Sequence, residues 1–250
     1  MPYVNNQGIN IYFETAGQGE PIIFHHGNGN CLKDWYTLGF VEELANNFQL
    51  VLVDSRGYGK SDKPHDPAAY SLQNRVDDSI AVLDKLGIEK AHCLGASVGA
   101  AMCFLLAKYY PSRFKSYIFA TPYFIQFNND IKQALLQGPE AYVARLENRH
   151  NCKIDNETIR QTFLANDTKA LWAANSSEWF DYRDYIKYIN VPSLIYAGAK
   201  EESVPLLTDL AKQLPNCQIN IVPNADHVKM YWDSKLVAPI IKNFIMQLEV

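Results

Sequence analysis

The sequence predicts an α/β protein: a doubly wound, mostly parallel sheet interrupted by a helical cap insertion. Three observations lead there. Short apolar runs alternate with helix-like stretches along most of the 250 residues, the pattern of strands joined by crossover helices. The alternation stops between about 122 and 190, where several helix-like patches occur with no convincing strand. Finally, one Gly-x-Ser-x-Gly stretch, "GASVG" (95–99), falls where an apolar strand gives way to an apolar helix.

The elements follow in order. "INIYFETAG" (9–17) alternates as a strand does, and the glycine-rich stretch after it reads as a turn. "PIIFHHG" (21–27) and "FQLVLVDSRG" (48–57) are continuous apolar runs, which suit strands buried on both faces. Between them "DWYTLGFVEELANN" (34–47) has a helical composition. "SLQNRVDDSIAVLDKLG" (71–87) is a helix with Ser71 as N-cap, one apolar face of Val76, Ile80, Leu83 and Leu86, and Gly87 as its stop. Strand "KAHCLG" (90–95) then leads into the helix 97–110, closed by Pro111. "FKSYIFAT" (114–121), "VPSLIYAG" (191–198) and "CQINIVP" (217–223) are further strands, and helices over 204–214 and 234–248 follow the last two. The expected division is a core of 1–121 and 191–250 with an insertion of 122–190.

Composition narrows the function classes. The net charge is −4 and there is no Lys/Arg run, so a nucleic-acid or anionic-membrane surface has no electrostatic support. The first ten residues lack the basic and apolar regions of a secretory signal, and no stretch approaches the ~18 apolar residues of a membrane span. Five scattered cysteines without a CxxC pair argue against a disulfide framework or a zinc site. The expectation is a cytoplasmic protein, without metal, acting on a small molecule.

The serine motif supplies the chemistry. At a sharp strand-to-helix turn, side chains two residues either side of Ser97 would collide with strand and helix, which accounts for Gly95 and Gly99. Such a turn exposes Ser97 at the strand's C-terminal end and puts the Val98 N–H at a helix N-terminus, where it can donate to a developing oxyanion. A serine nucleophile needs a base. Of the histidines after Ser97, His150 lies in a polar part of the insertion with no strand to position it, whereas His227 follows strand "CQINIVP" in a loop at the sheet edge. His227 is therefore the candidate base. The orienting acid falls in "AGAKEESVP" after strand "VPSLIYAG", as Glu201 or Glu202; Asp226 adjoins His227 too closely in sequence for the required geometry.

The chain resembles the α/β-hydrolase family over nearly its whole length. "HHGNG" (25–29) resembles the family's oxyanion loop, "DSRGYGKSDKP" (54–64) its Asp-x-Arg-Gly-x-Gly-x-Ser segment, and "LGASVG" its nucleophile elbow. "VPSLIYAGAKEESVP" resembles the acid-bearing strand and loop, and "VPNADHVKMYWD" the histidine loop. The resemblance implies Glu201 as the triad acid, three residues after Gly198 and four before Pro205. It implies Asn28 as the second backbone oxyanion donor, and His26 as a structural brace of that loop. Arg56 and Asp54 read as scaffold, an ion pair or loop brace. The departures are a glutamate where aspartate is commoner and Asp226 where a glycine usually precedes the histidine.

Together these imply a cofactor-free serine hydrolase of esters, lactones or similar carbonyl compounds. Carbon–carbon bond hydrolysis, cofactor-free lyase or oxygenase chemistry, and a small-molecule receptor are the alternatives on the same fold. The aromatics Tyr123, Phe124, Phe127, Trp172, Trp179, Phe180, Tyr182 and Tyr185 of the insertion favour an apolar or aromatic substrate. Its nine acids and eight Lys/Arg offer no clamp for a strongly anionic one.

Overall fold

The strands are β1 (Tyr3–Asn6), β2 (Ile9–Ala16), β3 (Glu20–His25), β4 (Phe48–Val53), β5 (Ala91–Ala96), β6 (Phe114–Ala120), β7 (Ser193–Gly198) and β8 (Cys217–Val222). They form one sheet in the order β1-β2-β4-β3-β5-β6-β7-β8. The pairs β1–β2 and β2–β4 are antiparallel, and every later pair is parallel. The computed structural model describes residues 2–123, 129–178 and 180–248.

Side-chain alternation splits the interior into two layers. On one face Ile23, Val51, Cys93, Phe119 and Ile195 pack beneath α3 (Leu72–Lys85), α4 (Ala100–Tyr109) and α9 (Val204–Gln213). On the other Ile22, Leu50, Leu94, Ile118 and Tyr196 pack beneath α1 (Leu32–Thr37), α2 (Phe40–Leu44), α10 (His227–Trp232) and α11 (Ser234–Gln247). The central strands are thus covered on both sides, which is why they read as unbroken apolar runs. Fully burying each such side chain contributes roughly 1.5–3 kcal/mol. The edge strand β8 keeps only half-buried or exposed positions.

Between β6 and β7 the described residues form α5 (Asn129–Gln137), α6 (Pro139–His150), α7 (Glu157–Leu164), α8 (Thr168–Ser176) and a 3-10 stretch, Tyr182–Tyr188, with no strand. Ile131, Leu135, Tyr142, Val143, Ile159 and Phe163 make a small core of their own, against which Tyr58 and Trp232 also pack.

Three local features differ from the sequence expectation. Strand β1 extends the sheet through a tight hairpin at Gln7 and Gly8, both with positive φ. Its polar sequence, "YVNN", carries no apolar signal because its residues are half-buried or exposed. The single helix expected over 34–47 is two, since Gly39 adopts φ 81° and restarts the chain as the N-cap of α2. The histidine loop is a helix: Asp226 caps α10 by accepting from the Lys229 N–H at 2.8 Å, and His227 is its first residue. That cap explains an aspartate before the histidine.

Candidate active site

The site forms where the C-terminal ends of β3, β5, β6 and β7 converge. Ser97 follows β5 and sits at φ 54°, the left-handed region that ordinary residues avoid. The elbow closes tightly around it. A Cβ on Gly95 would lie 2.4 Å from the Gly99 carbonyl oxygen, and one on Gly99 would lie 2.5 Å from that of His25. Only bare backbone fits at these two places.

Three side chains from distant segments line up. Ser97 Oγ lies 3.1 Å from His227 Nε2, and His227 Nδ1 lies 3.1 Å from Glu201 Oε2. The other carboxylate oxygen, Oε1, accepts from the Gly198 N–H and the Thr121 hydroxyl, both at 2.7 Å. Burial alone would raise the Glu201 carboxyl. The hydrogen bond and charge of His227, with the Gly198 and Thr121 donors, outweigh it and hold the group below the usual carboxylate range. Glu202, by contrast, is exposed.

The loop after β3 faces the elbow. His26 donates through Nδ1 to the Gly27 carbonyl (2.9 Å) and accepts through Nε2 from the Ser55 N–H (3.2 Å). Gly27 N–H donates to the Tyr231 hydroxyl at 2.9 Å. Asn28 follows Gly27 and lines the same cavity as Val98, and among the described residues no protein acceptor takes the Asn28 N–H. Val98 stands in the 3-10 turn Ser97–Gly99 that leads into α4, where the first N–H groups have no intrahelical partner. The two N–H groups are thus available to a negative charge. Asp54 and Arg56 do not pair with each other. Asp54 accepts from the N–H groups of Leu32 and Lys60, both at 2.7 Å, whereas Arg56 forms a two-pronged ion pair with Asp78.

Two cavities meet at Gly27, Val98 and Tyr123. One, of about 140 Å³, passes Ser97, His227 and His150 toward Phe163 and Trp232. The other, of about 150 Å³, lies across Val98 and Gly99 and reaches Phe180, Tyr182 and Arg75. Of the aromatics singled out in the insertion, Tyr123, Phe180 and Tyr182 line cavities. Trp172 packs among core residues and lines neither. Tyr185 is buried in the layer above α4. Phe124, Phe127 and Trp179 lie outside the described residues.

Sequence reasoning missed two neighbours of these three side chains. Thr121, at the end of β6, places its hydroxyl 3.1 Å from His227 Nδ1 as well as on Glu201. Its unusual φ of 43° aims it there; nothing in the spacing of "FKSYIFAT" announces this. His150, which no strand positions, ends α6 and stacks on the His227 ring, with centroids 4.9 Å apart and planes 13° from parallel. Burial, then the proximity of His227, pushes the His150 imidazole down to about 4. A helix end from the insertion does the positioning that the sequence suggests only a strand could do.

Comparisons with known proteins agree with this fold. A sequence profile described as the alpha/beta hydrolase fold matches residues 20–234. A 2-hydroxy-6-oxononadienedioate/2-hydroxy-6-oxononatrienedioate hydrolase from Paraburkholderia phymatum is 26% identical over 267 residues, covering 96% of this chain and 92% of that one. The enol-lactonase from Burkholderia xenovorans LB400 superposes with a TM-score of 0.83 at 18% identity, over 98% of this chain and all of that one. A thermophilic esterase from Thermogutta terrifontis gives 0.83 at 20% identity, over 99% and 98%. At such identities the likeness to solved structures is one of fold.

Proposed function

The chain belongs to the alpha/beta hydrolase fold family, and from that premise we propose that it is a serine hydrolase acting on a carboxylic ester, lactone or similar carbonyl substrate through an acyl-enzyme. The observation that carries the reading is the unbroken line Ser97 Oγ, His227 Nε2, His227 Nδ1, Glu201 Oε2, with both spacings at 3.1 Å. Ser97 Oγ attacks the carbonyl carbon as His227 Nε2 takes its proton. The tetrahedral oxyanion accepts from the N–H groups of Val98 and Asn28, each contributing about 3 kcal/mol in comparable sites. The imidazolium then protonates the leaving oxygen, the carbon–oxygen bond breaks, and Ser97 is left acylated. Water repeats the cycle, with His227 as base, and frees the acid. Glu201 stays ionised, fixes the proton on Nδ1 and stabilises the transient imidazolium. No cofactor enters any step.

The cavities divide the substrate. His227 has to reach the leaving group, so the cavity that it lines with His150 takes that part. The cavity across Val98 takes the acyl part. Ser97→Ala tests the reading with 4-nitrophenyl acetate and butyrate. We expect turnover to fall by several orders of magnitude with the thermal midpoint unchanged. Residual turnover within tenfold of the wild type would remove the nucleophile from the account.

A further inference from the structure

The acyl cavity is not uniformly apolar. Arg75, on α3, lines it and is held by three donations: Nε to the Tyr70 carbonyl at 2.9 Å, and Nη2 to the Ala174 carbonyl at 2.7 Å and the Ser177 hydroxyl at 2.6 Å. All three acceptors are neutral. Among the described residues no carboxylate pairs with Arg75, and Nη1 has no partner. The nearby Asp78 is occupied, because both of its oxygens take the Arg56 fork and one also takes Asn6.

The rest of that wall is compatible with an acceptor. His25 is 2% exposed, its Nε2 has no partner, and it lines the same cavity. Burial drives its imidazole down to about 3, so it is neutral and adds no competing charge. Lys132 also lines the cavity, whereas Glu178, the other acid on the wall, is exposed at the rim and accepts from the Leu72 N–H. Beyond the Arg56–Asp78 pair, the wall carries two cations, Arg75 and Lys132, and Arg75 is the one that fixed acceptors hold in place. Next to the elbow the walls are apolar, with Ala101, Met102 and Leu105.

A guanidinium kept in a partly desolvated cavity without a counter-charge is costly unless something negative joins it. We propose that Arg75 is the specificity-determining residue for an acyl group with an apolar middle and a terminal carboxylate, so that the substrate is a half-ester of a short dicarboxylic acid or a lactone of a short hydroxy dicarboxylic acid. The inference rests on the hydrolase reading above and names its substrate class. A cavity of about 150 Å³ is of the size that holds a benzene ring, which suits a four- to six-carbon diacid. The proposed anchor comes from helix α3, outside the insertion whose charge balance the sequence analysis weighs.

The test compares monomethyl glutarate with methyl 5-oxohexanoate, in which a methyl ketone replaces the carboxylate, by titrating the acid released; 4-nitrophenyl acetate reports general hydrolase activity. In the wild type kcat/KM should favour the anionic ester at least tenfold. Arg75→Gln should lower that ratio at least tenfold, and Arg75→Lys should keep part of it. Because the Gln variant could unfold, Ser177→Asp gives an independent arm: it sets a carboxylate against the guanidinium in place, and should also collapse the ratio. A wild-type ratio near one, or a ratio unmoved by both Arg75→Gln and Ser177→Asp, would make Arg75 only a strut to α8 and overturn the proposal, while hydrolysis of 4-nitrophenyl acetate by the wild type would keep the hydrolase reading. Failure of all three esters in the wild type would instead overturn the hydrolase reading beneath it.

Discussion

Gly99→Ala puts the smallest side chain into one of the two close backbone contacts that shape the elbow. The new Cβ would stand 2.5 Å from the His25 carbonyl oxygen and 2.6 Å from that of His26, against an optimum of roughly 3.5 Å for non-bonded heavy atoms. Relief demands a displacement of about 1 Å, and both obstacles are backbone. What gives way is the loop through Asn28 or the start of α4, the two sources of the proposed oxyanion donors. Overpacking of this kind costs about 1–3 kcal/mol, or roughly 2–12 °C of thermal midpoint for a chain of this length. The rate should suffer more, about a hundredfold, because misplacement of 1 Å near the reacting atoms costs that much. Gly87→Ala is the control. Gly87 has φ +67°, and a Cβ added there would meet nothing within 4 Å, so the left-handed strain of about 1–2 kcal/mol should lower the midpoint by several degrees and leave kcat unchanged. Thermal melts and kcat/KM for 4-nitrophenyl butyrate decide. Wild-type kcat in Gly99→Ala, or an equal kcat loss in both variants, would refute the link between the elbow's close packing and the oxyanion geometry.

Glu201→Gln should lower kcat by about 10⁴-fold, as an amide that favours the wrong tautomer does in a serine protease, while exposed Glu202→Gln should cost less than about tenfold; steady-state kinetics separates them. Thr121→Val removes a hydrogen bond to a charged acceptor, a kind of bond worth about 1.5–3 kcal/mol. Its kcat should drop at least about tenfold with KM little changed, and unaltered kcat would make the Thr121 contacts incidental. His150→Ala removes a stacked ring, worth about 0.5–1.5 kcal/mol, so kcat/KM should change by about three- to tenfold. In folded protein His92 is held down to about 4 by burial and the charge of Lys115, while the unfolded chain takes its proton near 6.5. Stability from this neutral group is present above about pH 6.5 and is lost as pH falls toward 4. Urea titrations should therefore show wild type losing about 1.4 kcal/mol per pH unit more than His92→Gln across that window; parallel curves would refute the assignment.

The strands were legible because burial on both faces leaves an unbroken apolar signature, as in "FQLVLV" and "YIFA". Ser97 was legible because its turn excludes side chains at 95 and 99, a steric demand written directly as glycine. His227 and Glu201 followed from chain order and from spacing shared with a family. What sequence could not show is proximity without local pattern. Thr121 reaches the triad through its backbone angle, and His150 through the packing of α6. Arg75 looks like one more polar residue on an amphipathic helix until α8 is laid beside it. The β1 hairpin was missed for the opposite reason: a half-exposed edge strand needs no apolar residues.

The account stands on one covalent bond. A fluorophosphonate or a slow 4-nitrophenyl ester, quenched before deacylation and followed by peptide mass spectrometry, reads it directly. We expect one adduct per chain on the peptide carrying Ser97, with a burst of one nitrophenolate per chain from the ester and no adduct in Ser97→Ala. Labelling on another residue, or turnover that persists in Ser97→Ala without any adduct, would contradict the claim that Ser97, driven by His227 and Glu201, is the nucleophile.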